Sequence, residues 1–170
     1  MESNPILKRK SNRLQGYDYS QNGAYFITIC AHHHKCIFGK IVNNTMMVNK
    51  LGIIAQNEWI KSSEIRTEIE IDESVIMPNH LHGIVFIHHQ GDDQQTPGTG
   101  CKSKSISALV AGFKSIVTKQ INIIRETPMM PVWQRNYHDH IIRSERSLTK
   151  LREYIRNNPQ SWEKDRFYYT

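Results

Sequence analysis

The sequence predicts an α+β sandwich, in which amphipathic helices pack on a layered sheet. Three runs rich in β-branched and aromatic residues are typical of strands, at 24–30, 67–77 and 80–87. Segments whose apolar residues recur at helical spacing are interleaved with these strands. The first two of them are 50–60 and 106–124. Strands interleaved with amphipathic helices of this kind favour packed layers of helices on a sheet.

The composition is that of a folded, basic protein. The chain has 170 residues, of which 38% are hydrophobic and 22% charged, a balance typical of globular proteins rather than disordered ones. Its length fits a single domain over 1–170. The 22 lysines and arginines exceed the 16 aspartates and glutamates, for a net charge of +6. This excess favours a polyanionic partner, with nucleic acid first.

Cysteine usage and the absence of long apolar runs indicate where the protein works. Cys30, Cys36 and Cys101 are odd in number and form no Cys-x-x-Cys pair, so neither a disulfide framework nor a zinc knuckle is predicted. The N-terminus lacks the apolar core of a signal peptide. No apolar run approaches the length of a membrane span. We therefore expect a cytoplasmic protein with no membrane partner.

Residues 1–13 form a basic arm. It carries Lys8, Arg9, Lys10 and Arg13. Two interpretations stay open from the sequence, a solvated and frayed terminus or a segment that contacts DNA phosphates.

The first elements of the chain are a strand, a turn and a hairpin. Gly23 opens the strand 24–30, and the three consecutive histidines 32–34 follow in a turn, because they cannot all face one ion from a regular element. Residues 38–48 are predicted to form a small hairpin that turns at Asn43–Asn44.

The middle of the chain predicts a helix, two strands and a loop. Asn49 is a plausible N-cap for the helix 50–60. The strand 67–77 runs into the strand 80–87. Residues 88–105 are rich in Gly, Gln and Asp and are expected to form a flexible loop.

The last third predicts a long helix, an extended segment and a final helix. The apolar residues of 106–124 recur at helical spacing, and residues 133–143 are predicted to be extended. Ser144 or Ser147 caps the final helix, and Pro159 ends it, because the residue before a proline resists helical geometry.

His80 and His82 are the first candidate site residues. Side chains at i and i+2 of a strand point to the same face, so the two imidazoles project side by side. Two neutral imidazoles in this position can share one divalent metal and leave room for a third ligand. The alternative is a pair of histidines on a half-buried strand that binds nothing.

Tyr154 and Asn158 are the second pair of candidates. They are four residues apart on the final helix and therefore lie on one face, next to its apolar stripe. If this helix packs on the histidine strand, the Asn158 carbonyl oxygen is a candidate third metal ligand. Tyr154 then lies one helical turn away, within reach of a phosphate on the metal. Taken singly, a core aromatic and a helix terminator are the simpler interpretations.

Three sequence blocks carry a resemblance to a known family. They are Met-Pro-Asn-His-Leu-His-Gly, Val-Trp-Gln-Arg-Asn-Tyr-His-Asp-His-Ile-Ile-Arg and Tyr-Ile-Arg-Asn-Asn-Pro, which begin at Met77, Val132 and Tyr154. In content, order and spacing these blocks resemble the signature of the REP-associated tyrosine transposases. The likeness extends from about Arg13 to Trp162.

The resemblance implies a fold, an activity and roles for individual residues. The fold is the ferredoxin-like HUH endonuclease core, a central antiparallel sheet flanked by helices. His80, His82 and Asn158 are then the ligands of Mg²⁺ or Mn²⁺, and Tyr154 is the nucleophile. The implied reaction cleaves and transfers single-stranded DNA at hairpin-containing repeats through a 5′-phosphotyrosine, with the protein on the bacterial nucleoid.

Several alternatives stay open at this point. Tyr137 also lies beside histidines, and sequence alone does not exclude it as the nucleophile. His138 and His140 share a strand face and are weaker candidates for a metal site, and the oligomeric state is open between monomer and dimer.

Basic side chains outside the arm are candidates for the lining of a DNA groove. The candidates are Lys114, Arg135 and Arg143, each of which is more often simply solvated surface.

Two other functional classes compete with the transposase hypothesis. A non-catalytic single-stranded nucleic-acid-binding protein, such as a domesticated transposase, would stack bases on a sheet platform with exposed Tyr25 and Phe26. A metal-binding structural protein would use the nine histidines without any preference for nucleic acid.

Overall fold

The computed structural model describes residues 17–88 and 104–168. Its strands are β1 (Gly23–Cys30), β2 (Gly39–Val42), β3 (Thr45–Val48), β4 (Ile69–Ile76), β5 (His80–Ile87) and β6 (His138–Ile142). Its helices are α1 (Lys50–Ile65), α2 (Ile106–Arg125) and α3 (Glu145–Asn157). Two 3-10 helices are also present, His32–His34 and a C-terminal one, Pro159–Lys164.

The central sheet is antiparallel and has four strands in the order β4-β5-β1-β6. The hairpin β2-β3 forms a separate two-stranded sheet. Without the hairpin, the elements up to β6 follow the order β-α-β-β-α-β, with β5 and β1 in the middle, which is the ferredoxin-like arrangement. The predicted α+β class and ferredoxin-like sandwich are confirmed.

Sheet register decides which side chains meet. Thr28 pairs with His82 and Cys30 pairs with His80 across β1 and β5. Because successive side chains of a strand alternate between faces, both histidines lie on the face that α3 covers. Leu81 and Val85 point to the opposite face, under α1 and α2.

The larger core lies between the sheet and the pair α1 and α2. It includes Trp59 of α1 and Phe113 of α2, whose rings meet edge to face at 5.1 Å. Gly83 permits this packing, because a Cβ at that position would lie only 2.7 Å from the Trp59 ring. A smaller core lies under α3 and includes Ile84 and Ile155.

Local signals place the hairpin and the helix starts. Asn43 and Asn44 have φ of 49° and 60°, the left-handed conformation that a two-residue type I′ turn requires. The Asn49 side chain accepts hydrogen bonds from the first backbone N–H groups of α1, and Ser144 caps α3 by accepting from Ser147 N–H. The structure therefore selects Ser144 over Ser147 as the cap.

Some predicted boundaries differ from the structure. α1 runs to Ile65, beyond the predicted 60. Of the predicted extended segment 133–143, only β6 is a strand, and Trp133 adds a single bridge to Ala31.

Two predicted segments lie wholly or largely outside the described residues. The basic arm 1–13 and residues 89–103 of the predicted loop belong to this part of the chain. Among the described helices, none combines the length and apolarity needed to cross a membrane.

Candidate active site

The structure places His80 and His82 side by side on β5, with ring centroids 4.4 Å apart. Both are buried, at 0% and 1% exposure. The alternative of a half-buried strand is wrong for β5, because α1 and α2 cover one face and the C-terminal elements cover the other. Two imidazoles without solvent around them require polar partners.

The Nδ1 atom of each histidine is hydrogen-bonded. His80 Nδ1 lies 2.8 Å from Asn79 Oδ1, and His82 Nδ1 lies 2.8 Å from Thr28 Oγ1. The Asn79 amide nitrogen donates to two backbone carbonyls, so its oxygen faces His80 and can only accept. His80 Nδ1 is therefore the donor, and its Nε2 carries a lone pair.

That lone pair is an observation in favour of a metal. His80 Nε2 is buried and has no hydrogen-bond partner among the described residues. In a metal-binding histidine, the ring nitrogen that does not bind the metal usually donates a hydrogen bond, which fixes the orientation of the ring. Burial, and then the neighbouring His82, lowers the pKa of His80 well below its ordinary value. Burial also lowers the pKa of His82, against the opposing effect of Asp165. Both rings are neutral at pH 7, which is the state that binds a cation.

Tyr154 brings a hydroxyl to these histidines. Its oxygen lies 3.2 Å from His82 Nε2 and donates a hydrogen bond of 2.9 Å to Asp165 Oδ2. Burial raises the pKa of the phenol, and the hydrogen bond to Asp165 raises it further. The hydroxyl is therefore held protonated next to the two imidazoles.

Tyr137, the other candidate nucleophile, lies elsewhere. It packs on the core under α1 and α2, its hydroxyl is 3.4 Å from Ser107 Oγ of α2, and the Lys114 ammonium lies 5.9 Å from its ring centroid. The sheet separates it from His82. Of the two candidate tyrosines, Tyr154 is the one whose hydroxyl contacts His82.

Asn158 lies directly after the last residue of α3 and is 1% exposed. Its amide nitrogen donates to Asp165 Oδ2 at 2.6 Å. Its Oδ1 is buried and has no hydrogen-bond partner among the described residues. An uncharged oxygen left in this state fits the predicted role of a metal ligand.

Asp165 is the residue that sequence reasoning missed. Its Oδ2 lies 3.9 Å from His82 Nε2, and one ligand atom each from His80, His82 and Asp165 lie within 4.8 Å of one another. Burial opposes its ionisation, but the neighbouring His82 and the hydrogen bonds from Asn158 Nδ2 and the Phe167 N–H outweigh burial and lower its pKa. The sequence offers only an aspartate in a charged run seven residues after Asn158.

Phe167 lies over the site from the C-terminal side. Its backbone carbonyl accepts a hydrogen bond from Asn79 Nδ2 at 2.8 Å. Its ring centroid lies between 5.1 and 6.1 Å from four imidazoles, those of His34, His80, His82 and His138. This apolar cover adds to the burial of the two β5 histidines.

Ion pairs fix α3, and with it Tyr154, on the sheet. A bulge in β4 between Ile71 and Ser74 brings two consecutive carboxylates to the helix. Asp72 accepts from Arg152 Nε at 2.7 Å, and Glu73 accepts from Arg156. Consecutive residues of a regular strand would point to opposite faces, so the bulge is what allows both pairs.

The predicted DNA-contacting cations fall into three groups. Lys114 donates to the backbone carbonyls of Gln134 and Asn136 at 2.8 and 2.9 Å, and burial lowers its pKa to about 8. This ammonium supports a loop, and its contact with DNA stays a prediction. Arg135 and Arg143 are exposed. The cations of the arm lie outside the described residues.

The stacking platform of the binding alternative is not present as predicted. Tyr25 is 0% exposed and its hydroxyl donates to the Gln21 carbonyl at 2.9 Å. Phe26 is half-buried, and its ring stacks on His82 at 5.1 Å. Tyr25 is therefore a core residue and no surface for a base.

A relative is similar to this chain over nearly its whole length. No family model matches the chain. An uncharacterized protein of Haemophilus influenzae is 41% identical over 173 residues, which cover 96% of this chain and 94% of that one. The two proteins belong to one family.

A solved structure is similar to the fold over most of the chain. It is a REP-associated tyrosine transposase bound to a REP hairpin, with a TM-score of 0.56, 18% identity, and coverage of 88% of this chain and 74% of that one. The chain has the fold of this transposase. The resemblance predicted from the three sequence blocks is thus confirmed at the level of the fold.

Proposed function

We propose that the protein is a metal-dependent single-stranded DNA endonuclease and strand transferase that acts at hairpin-containing repeats. The observation that carries this proposal is the Tyr154 hydroxyl, 3.2 Å from one of two buried, neutral imidazoles. A nucleophile placed beside metal-binding nitrogens is the arrangement that phosphoryl transfer to tyrosine needs. The transposase fold supports the same activity.

The residues present fit a divalent cation. His80 Nε2 and Asn158 Oδ1 are both buried with no hydrogen-bond partner among the described residues, and the Asp165 carboxylate lies within reach. We assign His80, His82 and Asn158 as ligands, and Asp165 as a further oxygen donor. Mixed imidazole and oxygen donors suit Mn²⁺ or Mg²⁺. When bound, such an ion polarises a phosphate oxygen as a Lewis acid.

Tyr154 is assigned as the nucleophile. Its oxygen attacks the scissile phosphorus, a 5′-phosphotyrosine bond forms, and the bond to the departing 3′-oxygen breaks. Asp165 Oδ2 already accepts a hydrogen bond from this hydroxyl at 2.9 Å and is placed to take its proton, while the departing 3′-oxygen takes up a proton from water and leaves as a free 3′-hydroxyl. The reverse attack by a 3′-hydroxyl reseals or transfers the strand.

The proposed substrate is single-stranded DNA beside a hairpin. The net charge of +6 favours a polyanion, and the solved transposase of this fold is bound to a REP hairpin. The resemblance to the REP-associated tyrosine transposases implies that the scissile phosphate lies in a single strand. Arg135, Arg143 and the N-terminal arm are the proposed phosphate contacts. We place this activity in one catalytic domain over 1–170, in the cytoplasm.

The test is covalent trapping. Purified protein is incubated with an end-labelled strand that carries a hairpin and a single-stranded flank, with Mn²⁺ or with EDTA, and run on a denaturing gel. We expect a protein-DNA adduct in the presence of Mn²⁺ and none in the presence of EDTA. The same strand annealed to its full complement is the control and should give none.

Two outcomes would reject the proposal. Equal cleavage of the perfect duplex would indicate an ordinary double-strand nuclease. Binding that is indifferent to EDTA, with no adduct on any hairpin strand, would indicate a non-catalytic nucleic-acid-binding protein.

A further inference from the structure

A polar cleft lies between the β2-β3 hairpin and the C-terminal 3-10 helix. Its volume is about 470 Å³, within the range of roughly 300–1,000 Å³ that ligand sites occupy. Its lining includes Lys40, Pro78, Gln160, Trp162, Lys164 and Tyr168.

The cleft shares a wall with the candidate active site. Pro78 is followed in the chain by Asn79, whose side chain orients His80. The Trp162 ring lies 5.9 Å from the His80 ring, centroid to centroid. The cleft and the two β5 histidines therefore lie next to each other, with Trp162 between them.

The cleft offers an aromatic surface at its rim. Tyr168 is 38% exposed, and its ring stands edge-on to Trp162 at 5.2 Å and 76°. Trp162 is itself 9% exposed, so the tyrosine rests on a buried partner. Bases of single strands stack on aromatic side chains supported in this way, with little dependence on sequence.

The other residues of the lining provide positive charge and hydrogen-bonding groups that a nucleotide can use. The lysines Lys40 and Lys164 are exposed and outnumber the one carboxylate of the lining, that of Glu163. Lysines of this kind contact phosphate. The exposed Gln160 amide carries both a donor and an acceptor for a base edge.

We propose that this cleft binds the single-stranded nucleotide next to the scissile phosphate, with its base on Tyr168 and its phosphate against Lys40 and Lys164. The proposal rests on the proposed function for the identity of the substrate. It concerns binding alone, so its measurement needs neither metal nor cleavage.

The experiment uses hairpin strands with 2-aminopurine placed at one flank position at a time. Wild-type protein in EDTA should quench the fluorescence of 2-aminopurine most strongly at one position next to the cleavage site. Tyr168→Leu should abolish that quenching and weaken binding about tenfold, because stacking is lost. Tyr168→Phe keeps the ring and should retain both.

The lysines are tested by the salt dependence of binding. Each phosphate contact on a single strand contributes about 0.7 to the slope of log K against log salt. Because both lysines are placed on one phosphate, the double change Lys40→Ala and Lys164→Ala should lower that slope by about 0.7. Lys119→Ala, on α2 and on the other side of the sheet, is the matched control and should leave quenching and affinity unchanged.

The outcomes separate this proposal from the proposed function. Quenching that is uniform along the flank, or unchanged in Tyr168→Leu, overturns the cleft assignment even where the Mn²⁺-dependent adduct forms. Failure of every hairpin strand to bind would overturn both. A single quenched position that Tyr168→Leu abolishes supports the cleft even if no adduct is found.

Discussion

Replacing Tyr154 by phenylalanine tests the assignment of the nucleophile with little change to the fold. The substitution removes one oxygen, which donates to Asp165 at 2.9 Å and lies 3.2 Å from His82 Nε2. The ring keeps its contact with Phe26, at 6.0 Å between centroids. We expect complete loss of the DNA adduct and of cleavage, with unchanged affinity for the hairpin.

The expected effect on stability follows from the same contacts. A hydrogen bond to a charged group contributes about 1.5–3 kcal/mol when buried, but Tyr154 is 39% exposed. Asp165 also keeps its bonds from Asn158 Nδ2 and the Phe167 N–H. We therefore expect the free energy of unfolding to fall by only about 1 kcal/mol, measured by urea denaturation.

The matched control is Tyr137→Phe, which removes a hydroxyl on the opposite side of the sheet. It should cleave at the wild-type rate. An adduct that persists in Tyr154→Phe but disappears in Tyr137→Phe would show that the wrong tyrosine has been assigned. A loss of stability above about 3 kcal/mol in Tyr154→Phe would refute the partly solvated hydrogen bond described above.

Three further predictions concern packing, pH and the position of α3. Gly83→Ala should lower the free energy of unfolding by about 1–3 kcal/mol in urea denaturation, because the new methyl lies 2.7 Å from the Trp59 ring; an unchanged midpoint would contradict this close approach. In EDTA, the free energy of unfolding should fall as the pH drops from 7 to 5. The pKa values of His80 and His82 are depressed in the folded protein, so both rings stay unprotonated there, whereas in the unfolded chain they take up protons near pH 6.5. The slope is at most about 1.4 kcal/mol per pH unit for each histidine, and a flat profile would argue against two buried neutral rings. Arg152→Gln removes the ion pair of α3 with Asp72 of β4, together with a longer one to Glu145 of α3 itself. It should slow adduct formation about tenfold at unchanged DNA affinity, measured in single-turnover reactions; a wild-type rate would show that the pair with Asp72 does not position the tyrosine.

Periodicity and turn chemistry were sufficient for most of the fold. Asn43–Asn44 predicted the hairpin because few residues tolerate two successive left-handed conformations. Asn49 predicted the start of α1 because its side chain caps free N–H groups. These signals are local, so they survive in a single sequence. The end of α1 was missed since no Gly or Pro marks it.

Features that depend on tertiary packing were not predictable in the same way. Asp165 reaches His82 from a segment with no regular period, and nothing in its neighbours distinguishes it from a surface aspartate. Lys114 counts toward the basic charge of the sequence, yet its ammonium binds backbone carbonyls. The non-catalytic binding alternative required Tyr25 on an exposed platform, and the sequence did not exclude it, because alternation within a strand does not say whether helices cover both faces.

The histidines and the tyrosine of the site are held in place by different interactions. His80 and His82 are held by Asn79 and Thr28 through their Nδ1 atoms, so a buried strand sets the direction of both Nε2 atoms before any ligand arrives. Tyr154 belongs to a helix that surface ion pairs hold to β4, and such pairs are worth little individually. The two histidines are therefore oriented by the strand itself, whereas Tyr154 depends on the packing of α3 through Ile155 and on the ion pairs of that helix. Substitutions in β5 should change metal affinity and stability together, whereas substitutions at the α3 ion pairs should change the rate of cleavage with little effect on either.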